Sequence, residues 1–341
     1  MNKFINNPAD ISIDESNVYI HSLPENDDFY DLMWEYQRSD DHMSGWGENR
    51  TLKLLKFFGA NQSDDMWHPH LLNILLKFFG TNQLPNESRC LDMCCGLGRF
   101  SIAALELGFD CVVACDGSYV GPKYIKDMVH GGNIPQNHLG FDSHKNASIF
   151  ASKNTFKDKL FPIQVDIEKI TDCFKPESFN MIIHHMALHH TRDYRKTLSD
   201  LSKLLSKGGI LVFNFFPKGT TPSVTYDLRK IFLDEDMMLV KKFLIDIKKI
   251  VVNDNRGKEF DFNNFLNNND CHPEYHKYKQ ELRNLSKIHN PELIYERLRW
   301  EDMQTPYLHN LTSRDVFNYV TSNLGMNILN YDIDRVCAIK V

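Results

Sequence analysis

The stretch CLDMCCGLGRFSIAALELGFDCVVACDGS, running from Cys90 to Ser118, decides the fold. An apolar run ends at Asp92, a tight turn follows with Gly96 and Gly98, and a helical pattern spans Arg99 to Leu107 before Gly108. A second apolar run then ends at Asp116. Glycine lets a backbone approach a ligand closely, and a helix N-terminus offers free N–H groups there. An acidic residue 18 positions after Gly98 suits a grip on ribose hydroxyls. In an open parallel sheet such residues lie together, outside the carboxyl ends of the strands.

The same rhythm continues outward. Apolar runs at Phe161–Val165, Phe179–His184 and Ile210–Phe215 alternate with helical patterns, as in a parallel sheet covered on both faces. Residues 1–85 read as helical, with Tyr30, Met33 and Trp34 on one face and a second helix from Pro69 to Gly80. Residues 217–310 break the rhythm. They predict helices over about Thr225–Val252, Pro273–Lys287 and Pro291–Arg299, around an Asn-rich patch from Asn263 to Asn269. From Thr312 a helix runs to Asn323, and Met326–Tyr331 and Val336–Val341 read as two closing strands.

Composition narrows the function classes. With 42% apolar and 25% charged residues in 341, the chain is globular rather than disordered. Residues 1–60 hold five basic and eleven acidic side chains, so the whole net charge of −6 lies there. No region is strongly basic, which argues against a duplex nucleic-acid binder. No leader-like apolar segment opens the chain and no apolar run could span a membrane, so a cytoplasmic protein with no membrane partner is expected. Five of the eight cysteines fall within 26 residues on two apolar runs, which suits buried thiols in a reducing compartment.

The turn Asp92-Met93-Cys94-Cys95-Gly96-Leu97-Gly98 and its acidic partner Asp116 resemble motif I of the class I S-adenosylmethionine-dependent methyltransferases, with Cys94 in place of the usual first glycine. A dinucleotide fingerprint would need a glycine at position 101, which is serine. Further segments resemble the family in order. These are Phe161–Ile167, Glu177–His190, the Leu204–Phe213 turn and strand, and the last 30 residues. The resemblance implies an α/β fold with a Rossmann-like, mostly parallel seven-stranded sheet and a C-terminal antiparallel hairpin. It implies a helical cap over residues 1–87, a cofactor core over 88–216, a helical substrate-side lid over 217–310, and a closing helix and hairpin over 311–341. Its cofactor is S-adenosyl-L-methionine. The residues carried over to that cofactor are Asp92, Cys94, Gly96, Gly98, Asp116, Gly117, Asp166, Ile167 and His184.

The loop after the fourth core strand, His184-His185-Met186-Ala187-Leu188-His189-His190, stands beside the transferred methyl group in that family. It is not the N-P-P-Y loop of enzymes acting on nucleobases or glutamine amides. His185 and His189 are the catalytic candidates, each weighed against a packing role, and a packing role is the stronger alternative for His189. No histidine pair has a third ligand at metal-binding spacing, so no metal is expected. Tyr30, Trp34, Trp300, Tyr307 and His309 are the substrate-side candidates. With Asp28, Asp31, Glu35 and Asp302 nearby, they lean towards a cationic or amine acceptor. The expected reaction is in-line methyl transfer to nitrogen or oxygen of a small molecule. A protein or RNA methyltransferase, or a methyltransferase-like protein without catalysis, stays open.

Overall fold

The computed structural model describes residues 3–15, 18–23, 30–33, 58, 75–77, 79–80, 82–129, 157–218, 223–254, 262–267, 273–299 and 303–341. They form two compact units, Met1–Lys218 with Leu311–Val341, and Gly219–Asn310.

The first unit is built on a sheet whose central strands are β3 (Arg89–Met93), β4 (Cys111–Asp116), β5 (Leu160–Gln164), β6 (Phe179–His184) and β7 (Leu205–Asn214), all mutually parallel. A hairpin of β8 (Met326–Tyr331) and β9 (Arg335–Lys340) joins antiparallel to β7. Both faces are covered. On one, Leu91, Val113, Ile182 and Leu211 pack with Leu198 and Leu201 of α4 (Tyr194–Leu204). On the other, Val112, Ala114, Ile183 and Val212 pack with Phe100, Ala103 and Ala104 of α1 (Arg99–Glu106). Burial from both sides explains why these strands read as continuous apolar runs.

The N-terminal segment corrects the sequence reading. Where helix was expected throughout, β1 (Ser12–Ile13) and β2 (Tyr19–Ile20) form, and β2 pairs parallel to β5. Among the described residues the sheet therefore has nine strands, in the order β1-β2-β5-β4-β3-β6-β7-β9-β8. Val18, Tyr19 and Ile20 favour extended backbone, and β5 would otherwise leave an open edge. Phe4 and Ile5 are buried in the same core. Helix is present at residues 30–33, 75–77 and 79. Trp34 and the start of the second expected helix lie outside the described residues.

The second unit is helical. The helix expected over Thr225–Val252 is two: α5 (Ser223–Phe232) and α6 (Met237–Asp254). The break falls at Leu233–Asp236, where consecutive acidic residues end the apolar face. Asp236 caps the new helix, its carboxylate accepting the Leu239 N–H at 2.8 Å. The described part of the Asn-rich patch folds as α7 (Phe262–Asn267). Its last carbonyls receive the Lys279 Nζ (2.9 Å, to Phe265) and the Arg283 guanidinium (2.5 Å, to Leu266) from α8 (Tyr275–Leu285). Cations at a helix C-terminus are favourable, which allows Lys279 to be almost wholly buried. Helix α9 (Pro291–Glu296) follows. Back in the first unit, α10 (Ser313–Asn318) is capped by Thr312 and continues through a wider turn to Asn323.

Candidate cofactor site

The order of the strands reverses between β3 and β6, which is where open α/β sheets bind ligands. Registers place the C-terminal ends side by side: Met93 lies between Cys115 of β4 and His184 of β6. The loops leaving β3, β4 and β6 therefore converge.

The first loop is Cys94 to Gly98. Cys94 has φ +58° and Gly98, which opens α1, has φ +82°. The family's glycine is thus replaced by a cysteine that keeps the left-handed backbone. A small unbranched side chain tolerates this at a cost of about 1–2 kcal/mol. Cys94→Gly is expected to alter stability by less than about 1 kcal/mol, because relief of strain is offset by chain entropy and lost burial. Cys94→Val, β-branched, is expected to destabilise by about 2 kcal/mol or more. Equilibrium denaturation of the two variants checks the difference.

Helix α2 (Val120–Val129) holds this loop from the other side. A Cβ on Gly121 would stand 2.5 Å from the Gly96 carbonyl oxygen, and one on Gly98 would stand 2.6 Å from Ile125. Gly121 is a site residue that the sequence reading missed. Its only signal is a glycine inside the first turn of a helix.

Carboxylates occupy the N–H groups that the loops present. Asp116, 4% exposed, accepts the Gly96 N–H at 2.8 Å and the Ser118 N–H at 2.9 Å. Asp92, 1% exposed, accepts the Ser101 hydroxyl at 2.6 Å and also the Ser101 N–H, in the first turn of α1. Burial pushes the Asp92 carboxyl up to about 7, against the pull of Ser101 and with a further push from Asp116. Asp31 accepts the Tyr119 N–H at 2.6 Å and the Val120 N–H at 3.2 Å, capping α2. Asp14 accepts the Tyr119 hydroxyl. Asp31 and Asp14 owe these roles to long-range contact. The acidic excess of the N-terminus is therefore partly engaged in holding the loop after β4.

Gly117 accepts the Gln164 amide at 3.0 Å through its carbonyl. The Asp166 N–H donates to the Ser22 carbonyl at 3.1 Å, and its carboxylate caps the turn Ile167–Lys169 by accepting the Glu168 N–H at 3.0 Å. The capping role competes with a direct ligand role for Asp166, though a carboxylate has further lone pairs. Burial pushes the thiols of Cys94, Cys95 and Cys115 well up, so they stay protonated.

The histidines separate. His184 is fully buried, its Nδ1 lies 3.3 Å from the Met93 carbonyl, and burial lowers it to about 4. It is neutral, with the proton on Nδ1 facing that carbonyl. The His185 ring meets Phe100 edge-on, with centroids 4.6 Å apart, beside the first turn of α1. His189 is buried and stacked on Phe216 at 3.9 Å and against His190 at 4.0 Å, an arrangement that suits packing. Among the described residues, no three His, Cys, Asp or Glu side chains group as metal ligands. Tyr30 belongs to the first unit, and Tyr307 and His309 to the second. Trp34 and Trp300 lie outside the described residues.

A family model described as a methyltransferase domain matches residues 66–237. A polyketide synthase–nonribosomal peptide synthetase from Aspergillus clavatus is 39% identical over 69 residues, 20% of this chain and 2% of that protein. The chain thus spans a small fraction of the curated relative it matches. Among solved structures, an arsenic(III) S-adenosylmethionine methyltransferase from Chlamydomonas reinhardtii is 21% identical, with 38% of each chain covered and a TM-score of 0.29. An S-adenosylmethionine-dependent methyltransferase from Mesorhizobium loti is 22% identical, with 39% of this chain and 49% of that one covered and a TM-score of 0.28.

Proposed function

Because the chain belongs to the methyltransferase domain family, we propose that it transfers a methyl group from S-adenosyl-L-methionine to nitrogen or oxygen of a small molecule, by in-line displacement. One observation supports the cofactor assignment most directly. The N–H groups that a pyrophosphate would need are already held by Asp92, Asp116 and Asp31. Loop ends held by carboxylates suit a ligand with positive charge and no phosphate. S-adenosylmethionine carries a sulfonium and an ammonium group, and its ribose has hydroxyls for an acidic strand end.

When bound, the cofactor supplies a methyl group on a positively charged sulfur, already activated for displacement. In this reading the Asp116 carboxylate, at the end of β4, would also hold the ribose hydroxyls. Gly117, Asp166 and Ile167 face the adenine, and Asp92, Cys94, Gly96, Gly98 and His184 surround the amino-acid end. Alignment and exclusion of water are then the main tasks left to the protein. His185, beside α1, is the candidate to face the acceptor and take a proton from it. Tyr30, Trp34, Trp300, Tyr307 and His309 remain the candidates to contact the acceptor. The lean towards an amine now rests on Asp28, Glu35 and Asp302, outside the described residues. No described helix is long and apolar enough to cross a membrane. We assign the protein to the cytoplasm, where thiols such as Cys90 and Cys95 stay reduced.

Titration calorimetry tests the reading. S-adenosylmethionine and S-adenosylhomocysteine are expected to bind, and NAD is expected not to. Absence of binding by both sulfur compounds would overturn it.

A further inference from the structure

The loop after β6 carries a backbone feature that its sequence does not announce. Met186 has φ +53°, although it is not glycine and its side chain is 39% exposed. Burial of the side chain therefore does not compensate the strain. Residues in such conformations persist where neighbours hold them, and they gather at functional sites.

Asn214 does the holding. The ladder between β6 and β7 ends with His184 opposite Phe213. Two residues beyond His184, the Met186 N–H has left the ladder, and the Asn214 Oδ1 accepts it at 2.5 Å. The Asn214 Nδ2 faces the Met186 sulfur at 2.8 Å. Asn214 is 3% exposed and paired with Arg335 of β9, so the anchor is itself fixed. On the far side of the loop, Leu188 and His189 are buried and the His190 N–H donates to the Ala187 carbonyl at 2.9 Å. Both ends are thus rigid, and the left-handed step at Met186 sets the direction in which His185 leaves the sheet.

We propose that Asn214 is a positioning residue for the methyl-transfer site: it holds Met186 in the left-handed region and so places the His185 ring against Phe100. The functional part rests on the reading of this loop as the acceptor side of a methyltransferase. The conformational part does not. A single hydrogen bond and the left-handed penalty are of similar size, so the loop's conformation is poised on Asn214.

The test uses the full chain with histidine-labelled NMR, amide exchange and calorimetry with S-adenosylhomocysteine. In Asn214→Ala the Met186 amide should exchange about five- to tenfold faster. The His185 ring signals should lose the shift caused by Phe100. The double variant Asn214→Ala with Met186→Gly should restore those signals, since glycine enters the left-handed region without help. Asn214→Asp, which keeps the acceptor oxygen, should retain them, and it replaces the alanine variant if that fails to fold. Unchanged His185 signals in Asn214→Ala overturn the proposal. So does failure of glycine to restore them, or their loss in Asn214→Asp. If wild-type protein binds no S-adenosylhomocysteine, the methyltransferase reading fails while the ring signals still report on Asn214.

Discussion

Asp116→Ala is expected to weaken S-adenosylhomocysteine binding by roughly 5- to 150-fold, corresponding to about 1–3 kcal/mol. Two losses combine. The ribose hydroxyls lose their acceptor, and the Gly96 and Ser118 N–H groups lose the carboxylate that now orders both loops. Because those N–H groups are buried, the variant should also be less stable by about 1–3 kcal/mol. Asp116→Asn preserves volume and one acceptor oxygen, so it should fold better and still bind more weakly than the native chain. Calorimetry beside thermal unfolding separates the effects. Unchanged affinity in a folded Asp116→Ala protein would show that the site lies elsewhere.

The second large effect concerns Asp92. Its carboxyl titrates at about 7 when folded, well above the ordinary 3.8, chiefly because it is buried. Between those values the folded chain holds a proton that the unfolded chain has lost. Stability must therefore fall as pH rises from about 4 to about 7. For a full shift of this kind the loss is on the order of 4 kcal/mol. Asp92→Asn removes the ionisable group and should flatten this slope, so that the variant gains on the native protein as pH rises. Ligand binding should behave in the opposite sense. A cationic ligand favours the ionised carboxylate, so S-adenosylmethionine should bind more tightly at pH 8 than at pH 6, with uptake of its charge accompanied by proton release. Calorimetry in buffers of different ionisation enthalpy measures that proton. Asp92→Asn should bind more weakly at pH 8 and release less proton. An unchanged slope of stability with pH in Asp92→Asn would refute the assignment of the titration to this residue.

What the two variants share is a carboxylate whose partner N–H groups lie nearby in sequence. Asp92 and Ser101 bracket one strand-to-helix turn, and Asp116 and Ser118 bracket another. The turns themselves are legible without a structure, though not which carboxylate takes which N–H. Apolar runs that end in an acidic residue, followed by Gly96 and Gly98, point to a turn and a helix start on physical grounds alone. The runs from Cys90, Cys111, Phe161, Phe179 and Ile210 correspond to β3 to β7, within a residue or two except where β7 begins five residues early, at Leu205. Strands buried on both faces cannot be anything but apolar, so their pattern survives in the sequence.

Other parts of the site depend on residues far apart in the chain. Asp31 caps a helix 88 residues away, and Ser22 receives the Asp166 N–H across 144 residues. In sequence both read as ordinary polar residues of an acidic segment. The same holds for β1 and β2, whose two-residue strands have no period to detect and form only because β5 offers an edge. His189, a catalytic candidate for which packing was the stronger alternative, stacks on Phe216, a partner that its spacing among the histidines does not reveal.

By itself, then, the sequence determined the parallel core, its glycine turn, the acidic strand ends and the family resemblance, because burial on both faces and a tight turn each leave a pattern in neighbouring residues. Tertiary structure alone decided which carboxylates occupy the loop N–H groups, how closely Gly121 approaches Gly96, and that Asn214 supports a left-handed Met186. Those are matters of distance between separate elements. A hydrogen bond, or a helix set so near a loop that no Cβ fits at Gly121, depends on where two backbones are brought together, and no local pattern of residue types records that.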